Sequence, residues 1–199
     1  MLTPVSEEEY NAYDPTVLPV ISNYYAEAIN EQTGEHLLLT GGSVLPEYTP
    51  DGSFRVKNTR FRLNPDCVAL SAVNESLLDT AFKYLNSPYL WGGKNALGID
   101  CSGLTQVVLR IHGMQLLRNA CQQVNQGELV PFLQDALPGD LAFFDHGDDH
   151  ISHVGIIVGE GKILHASGNV HIDKLDNEGI YSEERGFYTH KLRLIKRMI

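Results

Sequence analysis

Apolar and polar positions change their period once along this chain. Between residues 24 and 63 the apolar residues come in short runs at 24–29, 36–40, 43–48, 54–56 and 60–63. Gln32-Thr33-Gly34, Gly41-Gly42, Pro46 and Asp51-Gly52 punctuate them. Short runs bounded by glycine, proline and Asx residues predict strands and turns, although 24–29 also fits the end of a helix. Near Asn74 the period lengthens. Asn74 is placed to cap a helix with Leu77, Leu78, Ala81, Phe82 and Leu85 on one face, stopped by Ser87-Pro88. A second helical stripe, Leu104, Val107, Val108 and Ile111, lies between Asp100 and Gly113. The polar stretch Asn119, Gln122, Gln123, Asn125 and Gln126 fits a short helix. After the turn Pro138-Gly139-Asp140 come strand-like runs at 141–144, 154–158, 162–165, 170–172 and 190–197. Helices followed by antiparallel-looking strands predict an α+β domain over 71–199. A small barrel-like β unit over 20–70 precedes it, behind an acidic lead-in over 1–19 interrupted by Pro4, Pro15 and Pro19.

Composition narrows the possible partners. Asp and Glu number 25 against 15 Lys and Arg, a net charge of -10, which argues against nucleic acid because phosphate binding requires a basic face. No run is long enough to span a bilayer. The start, Met1-Leu2-Thr3-Pro4 leading to Glu7-Glu8-Glu9, is unlike a signal peptide, so a cytoplasmic location is expected unless a leader is missing. Cys67, Cys101 and Cys121 are odd in number, so no disulfide framework is expected, and Cys67 and Cys121 read as structural.

Cys101 stands apart. It follows the glycine-rich Tyr89-Leu90-Trp91-Gly92-Gly93-Lys94-Asn95-Ala96-Leu97-Gly98-Ile99-Asp100 and opens a helix that Asp100 can cap. Backbone N–H groups and the helix dipole there favour a thiolate. A buried cysteine is more often a small hydrophobe, so a nucleophile also requires a base. His153 opens the run Val154-Gly155-Ile156-Ile157-Val158, and His165 ends Lys162-Ile163-Leu164. The turn Gly159-Glu160-Gly161 would pair these runs antiparallel and bring both histidines to one open end. One imidazole could then take the thiol proton while the other fixes its tautomer. His146, Asp148, Asp149, His150 and His153 are potential metal ligands, but their spacing matches no helical or paired-cysteine zinc pattern, and no metal or cofactor is expected.

Five blocks in order, Tyr89-x-Trp91-Gly92-Gly93, Gly98-x-Asp100-Cys101-Ser102-Gly103, Pro138-Gly139-Asp140-Leu141, His153-Val154-Gly155-Ile156 and His165-Ala166-Ser167-Gly168, resemble the NlpC-type papain-like cell-wall cysteine peptidases. The resemblance implies Cys101 as nucleophile, His153 as base and His165 as its orienting partner. Within the family it is most similar to γ-D-glutamyl-L-diamino-acid endopeptidases, which act on peptidoglycan stem peptides with a free N-terminal L-alanine and carry bacterial SH3-like domains. Residues 20–64 resemble one such domain, while Tyr89, Trp91, Asp100 and Ser102 match groove positions. Where that branch has Pro-Arg-Asp, this chain has Leu117-Arg118-Asn119, so Asn119 brings a hydrogen bond without charge to the substrate amine. The chain also begins near the end of where a first SH3-like domain would lie. An N-acetylmuramoyl-L-alanine amidase, an acyltransferase, or a non-catalytic wall-binding protein remain as alternatives.

Overall fold

The computed structural model describes residues 4, 6–8, 19–70, 75–145, 147 and 150–198, and strands dominate it. The front part holds β1 (Val20–Ile21), β2 (Tyr25–Asn30), β3 (His36–Thr40), β4 (Ser53–Val56), β5 (Thr59–Leu63) and β6 (Val68–Ala69). Then come α1 (Leu77–Phe82), the ribbon β7 (Lys94–Asn95) and β8 (Gly98–Ile99), α2 (Cys101–Ile111) and α3 (Ala120–Gln123). The rest is β9 (Glu128–Val130), β10 (Leu141–Asp145), β11 (His153–Gly159), β12 (Lys162–Ser167), β13 (Asn169–Leu175), β14 (Gly179–Ser182) and β15 (Phe187–Arg197).

In the front part β3-β2-β5-β4 form an antiparallel sheet, and β1 pairs with β6. Alternate burial along β2 excludes the helical alternative for 24–29. The expected strand at 43–48 does not form. Only Val44 makes a bridge, to Val20, since Pro46 has no N–H for a ladder. Leu45 is instead fully buried in a local core with Ile21, Ala28 and Phe54.

The second part is organised by a ring. β10, β11, β12, β13, β14 and β15 pair in that order, and β15 pairs back onto β10. β15 is long enough that its first half pairs β14 while Ile195–Arg197 pairs β9. Side-chain alternation then separates two cores. Ala142, Phe144, Ile157, Ile163, Leu175 and Ile180 pack together within the ring. Leu141, Phe143, Val154, Ile156, Leu164 and Ala166 point the other way and form the bed for α2. Every α2 residue except Arg110 is buried. Burial contributes about 1.5–3 kcal/mol per large apolar side chain. That outweighs the few tenths lost at each of the β-branched Thr105, Val107, Val108 and Ile111. The helix exists because it is covered.

Several expectations change. Within the α+β expectation, the described residues are mostly β with few helices. α1 begins after Ser76, whose Oγ accepts the Asp79 N–H at 3.1 Å; Asn74, the expected cap, lies outside the described residues. α1 also stops before Leu85, which sits in the following turns. β9 and β14 are short strands without an alternating pattern, and the sequence reading missed both. The front part is tied on through Tyr24, whose hydroxyl donates to the Ala96 carbonyl at 3.0 Å and lies 2.9 Å from Ser87 Oγ. No helix among the described residues is long and apolar enough to cross a membrane.

Candidate active site

The mouth of α2 is assembled around one carboxylate. Asp100 Oδ1 accepts the Gly103 N–H at 2.7 Å, which caps the helix, and the Ser102 hydroxyl at 3.2 Å. Oδ2 accepts the Gly92 N–H at 2.8 Å and so holds the preceding loop. Arg118 grips both oxygens, at 3.0 and 2.6 Å, and also reaches Ser102 Oγ at 2.9 Å. Burial pushes the Asp100 carboxyl up, but Arg118 and the two N–H donors outweigh it and hold it below the usual carboxylate range. Gly103 is required by close approach: a Cβ there would lie 2.2 Å from the Gly93 carbonyl oxygen. Behind the first turn, buried Gln123 donates to the Ser102 and Leu117 carbonyls at 3.0 and 2.9 Å and fixes the α2–α3 spacing.

Cys101 itself is buried. Backbone N–H groups of Val154, Ser102 and Cys101 face its sulfur, yet burial dominates and pushes the thiol up to about 11. The amides and dipole at the helix start, which favour a thiolate, are thus opposed by burial. Burial costs the charged form more than the amides and dipole return, so a base must remove the proton during reaction. The Val154 contact puts the start of β11 against the sulfur, and His153, the residue before it, borders the same groove as Cys101.

The histidines meet diagonally. Gly155 pairs with His165 in the β11–β12 ladder, and His153 lies two residues further along. Even so, His153 Nε2 and His165 Nδ1 are 2.9 Å apart, with both side chains buried. The next strand extends the array. His165 Nε2 lies 3.4 Å from Asp173 Oδ2, and His171 Nε2 lies 3.2 Å from the same oxygen. A carboxylate only accepts, so His165 donates through Nε2 and receives at Nδ1. His153 therefore carries its proton on Nε2, which leaves proton exchange with the thiol to Nδ1. Burial lowers the His165 pKa, partly offset by Asp173, and keeps the ring neutral. The bond from His165 is the first cause holding Asp173 below its ordinary value. His190 stacks on His153 with centroids 4.1 Å apart and planes 23° from parallel.

A groove of about 680 Å³ opens over these groups. Cys101, His153, Tyr89, Trp91, Asp100, Ser102 and Asn119 all border it, whereas His165 lies behind His153. Trp91 is 82% exposed on one bank. Tyr89 is half-buried, and its phenol is raised by burial and then by Cys101 and Asp100. Asp100 faces the groove as a structural clamp rather than an open contact, since its oxygens are occupied. Asn119 precedes α3, where its N–H donates to Gln122 Oε1 at 3.0 Å and its side chain is exposed. Cys121 also borders the groove, while Cys67 accepts from Asn23 Nδ2 at 3.3 Å in the front part; all three cysteines are free. Of the potential metal ligands at 146–153, His146, Asp148 and Asp149 lie outside the described residues, while His150 and His153 border the groove.

The model of the NlpC/P60 family matches residues 86–188, a span containing Cys101, His153 and His165. The chain belongs to the NlpC/P60 family. It is 38% identical over 133 residues to a gamma-D-glutamyl-L-lysine dipeptidyl-peptidase of Bacillus subtilis (strain 168), covering 62% of this chain and 45% of that one. To the protein of the same name from Bacillus cereus it is 32% identical over 117 residues, covering 56% and 35%. The chain thus spans less than half the length of these two relatives. In fold it is similar to an NlpC/P60 family protein from Bacillus cereus, with a TM-score of 0.76 at 23% identity over 96% of this chain and 66% of that one.

Within this NlpC/P60 site the sequence reading missed four groups. In the sequence Arg118 stands out only as a neighbour of Asn119. His171, Asp173 and His190 went unremarked because each sits in an unexceptional strand. One signal was present: His171 and Asp173 alternate on β13 as strand neighbours should, and β13 follows His165 through the tight turn at Gly168.

Proposed function

We propose that this NlpC/P60 protein is a cysteine peptidase that hydrolyses the γ-D-glutamyl–L-diamino-acid bond of peptidoglycan stem peptides. Cys101 acts as nucleophile, His153 as general base and acid, and His165 as the residue that orients His153. The observation that carries the reading is the 2.9 Å contact between the imidazoles beside a sulfur held at the same strand start. The names of the Bacillus relatives support the choice of bond.

In this mechanism His153 Nδ1 takes the thiol proton as Sγ attacks the γ-carbonyl carbon of D-glutamate. Burial opposes the charged form of the sulfur, so the proton transfer depends on His153 as base. Amide N–H groups at the start of α2, with the Tyr89 hydroxyl, stabilise the oxyanion. His153 returns the proton to the leaving amine, and a thioester remains on Cys101. Water, deprotonated by the same nitrogen, then cleaves the thioester and restores the thiol. Trp91, Tyr89, Ser102 and Asn119 form the banks for a short polar peptide. Asn119 supplies a neutral acceptor to its free amine, so selection of that amine is weaker than an aspartate would give.

We read residues 71–199 as a papain-like catalytic domain with α2 packed on the ring, and 20–70 as an SH3-like domain flanking it. The fold likeness covering 96% of the chain supports the pairing. An amidase or acyltransferase would use the same trio on another bond. Mass spectrometry of digests of L-Ala-γ-D-Glu-diaminopimelate and its muramyl-linked form separates these readings. The peptidase yields L-Ala-D-Glu and free diamino acid, faster from the free-amine peptide. Release of intact tripeptide from the muramyl form would establish the amidase instead.

A further inference from the structure

Asp173 does more than the hydrolytic scheme uses, because its Oδ2 collects two imidazoles. His165 Nε2 stands 3.4 Å from it and His171 Nε2 3.2 Å, and these three donor atoms all lie within 4.8 Å of one another. Tetrahedral zinc, with ligands at about 2.0–2.2 Å, spaces its donor atoms roughly 3.3–3.5 Å apart. Two nitrogens and one carboxylate oxygen form a typical borderline-soft donor set.

His171 provides an independent pointer to a cation. Its Nδ1 lies 3.0 Å from the Asn169 carbonyl oxygen, while its Nε2 faces the Asp173 carboxylate. Both partners only accept. A neutral imidazole has one N–H, so the ring needs either a second proton or a cation at Nε2. A backbone carbonyl on the far nitrogen is also the usual outer support of a metal-bound histidine. His165 is buried, Asp173 mostly so, and His171 is about one-third exposed, which gives an ion an approach from the His171 side.

We propose that His165, His171 and Asp173 form a zinc-type divalent metal site whose occupation switches off the Cys101 centre. The switch follows from proton positions. Metal at His165 Nε2 displaces the proton donated to Asp173, and the neutral ring then carries its proton on Nδ1. That nitrogen faces His153 Nε2 at 2.9 Å, so His153 must accept there and carry its own proton on Nδ1. One proton leaves His165 Nε2 for solvent and one arrives at His153 Nδ1, with no net change across the pair. The base is then already protonated on the nitrogen that should receive the thiol proton. The fourth metal position falls to water.

Metal binding is independent of the assigned reaction; only the switching rests on the peptidase reading. Titration calorimetry with zinc on tag-free Cys101→Ala protein tests the first, because that variant lacks the thiol that could bind zinc beside His153. One zinc per chain is expected, weakened at least tenfold by adding His171→Ala or the bulkier His171→Gln. No binding, or equal binding by both His171 variants, overturns the site. For the switch, zinc should inhibit the enzyme carrying Cys101 and a chelator should restore it. Measured against its own zinc-free rate, His171→Ala should require at least tenfold more zinc for half-inhibition. Inhibition of His171→Ala at the same zinc concentration would place the inhibitory ion at the thiol and overturn the switch, leaving the calorimetric result standing.

Discussion

Replacing Arg118 by methionine removes the guanidinium but keeps an unbranched apolar stem, so it isolates the charge that holds Asp100. Stripping one partner from a fully buried pair costs about 3–5 kcal/mol, whereas exposed pairs are worth roughly 0–1 kcal/mol. Asp100 is 8% exposed at its side chain and Arg118 32%, so the pair falls between these limits. Asp100 also keeps the Gly92 and Gly103 N–H groups and the Ser102 hydroxyl. We expect a loss of about 2 kcal/mol at pH 7, with the lower bound set by the surface case and the upper by the buried one. Urea unfolding reads it directly. The sign of the pH dependence follows from the lowered Asp100 pKa. Its stabilisation is fully present above the unfolded value of about 3.9 and disappears as pH falls through the lower folded value. The gap between parent and variant should therefore close across that acid window. In an Asp100→Asn background, Arg118→Met should cost much less, because no buried charge is left behind. A gap below about 0.5 kcal/mol at pH 7, or one constant into the acid range, would refute the clamp.

Three further outcomes follow from the same geometry. His165→Ala should lower kcat by roughly 10²-fold with KM little changed, and His165→Asn, which retains an acceptor for His153, should recover part of it; an unchanged kcat would remove His165 from the scheme. In His153→Ala protein, alkylation of Cys101 should keep accelerating through alkaline pH towards the thiol's value of about 11. A plateau near pH ~7, as in low-pKa cysteines, would show a resting thiolate. Gly103→Ala would place a Cβ 2.2 Å from the Gly93 carbonyl and should cost about 1–3 kcal/mol as overpacking, seen as a lower Tm; a neutral substitution would mean that the loop gives way freely.

What the sequence revealed, and what it hid, has a physical pattern. Asp100, Cys101 and the α2 stripe were legible because capping and helical periodicity are local. The meeting of His153 and His165 was legible because a tight turn joins their strands, although the register is diagonal. Asp173 and His171 were not, since their role depends on a third strand sharing the same face of the ring. The ring's closure was equally hidden, because pairing of β15 with β10 joins segments far apart in sequence. The burial of Cys101 was hidden for a different reason: the helix start favours a thiolate locally, whereas burial under β11, a tertiary effect, opposes it.

The most direct test of the central claim compares release of free diamino acid from L-Ala-γ-D-Glu-diaminopimelate by the unmodified chain and by Cys101→Ala, each first shown to unfold at the same temperature. The account predicts steady release by the former and none above background by the latter. Release by the alanine variant at a comparable rate would mean that hydrolysis does not pass through this sulfur.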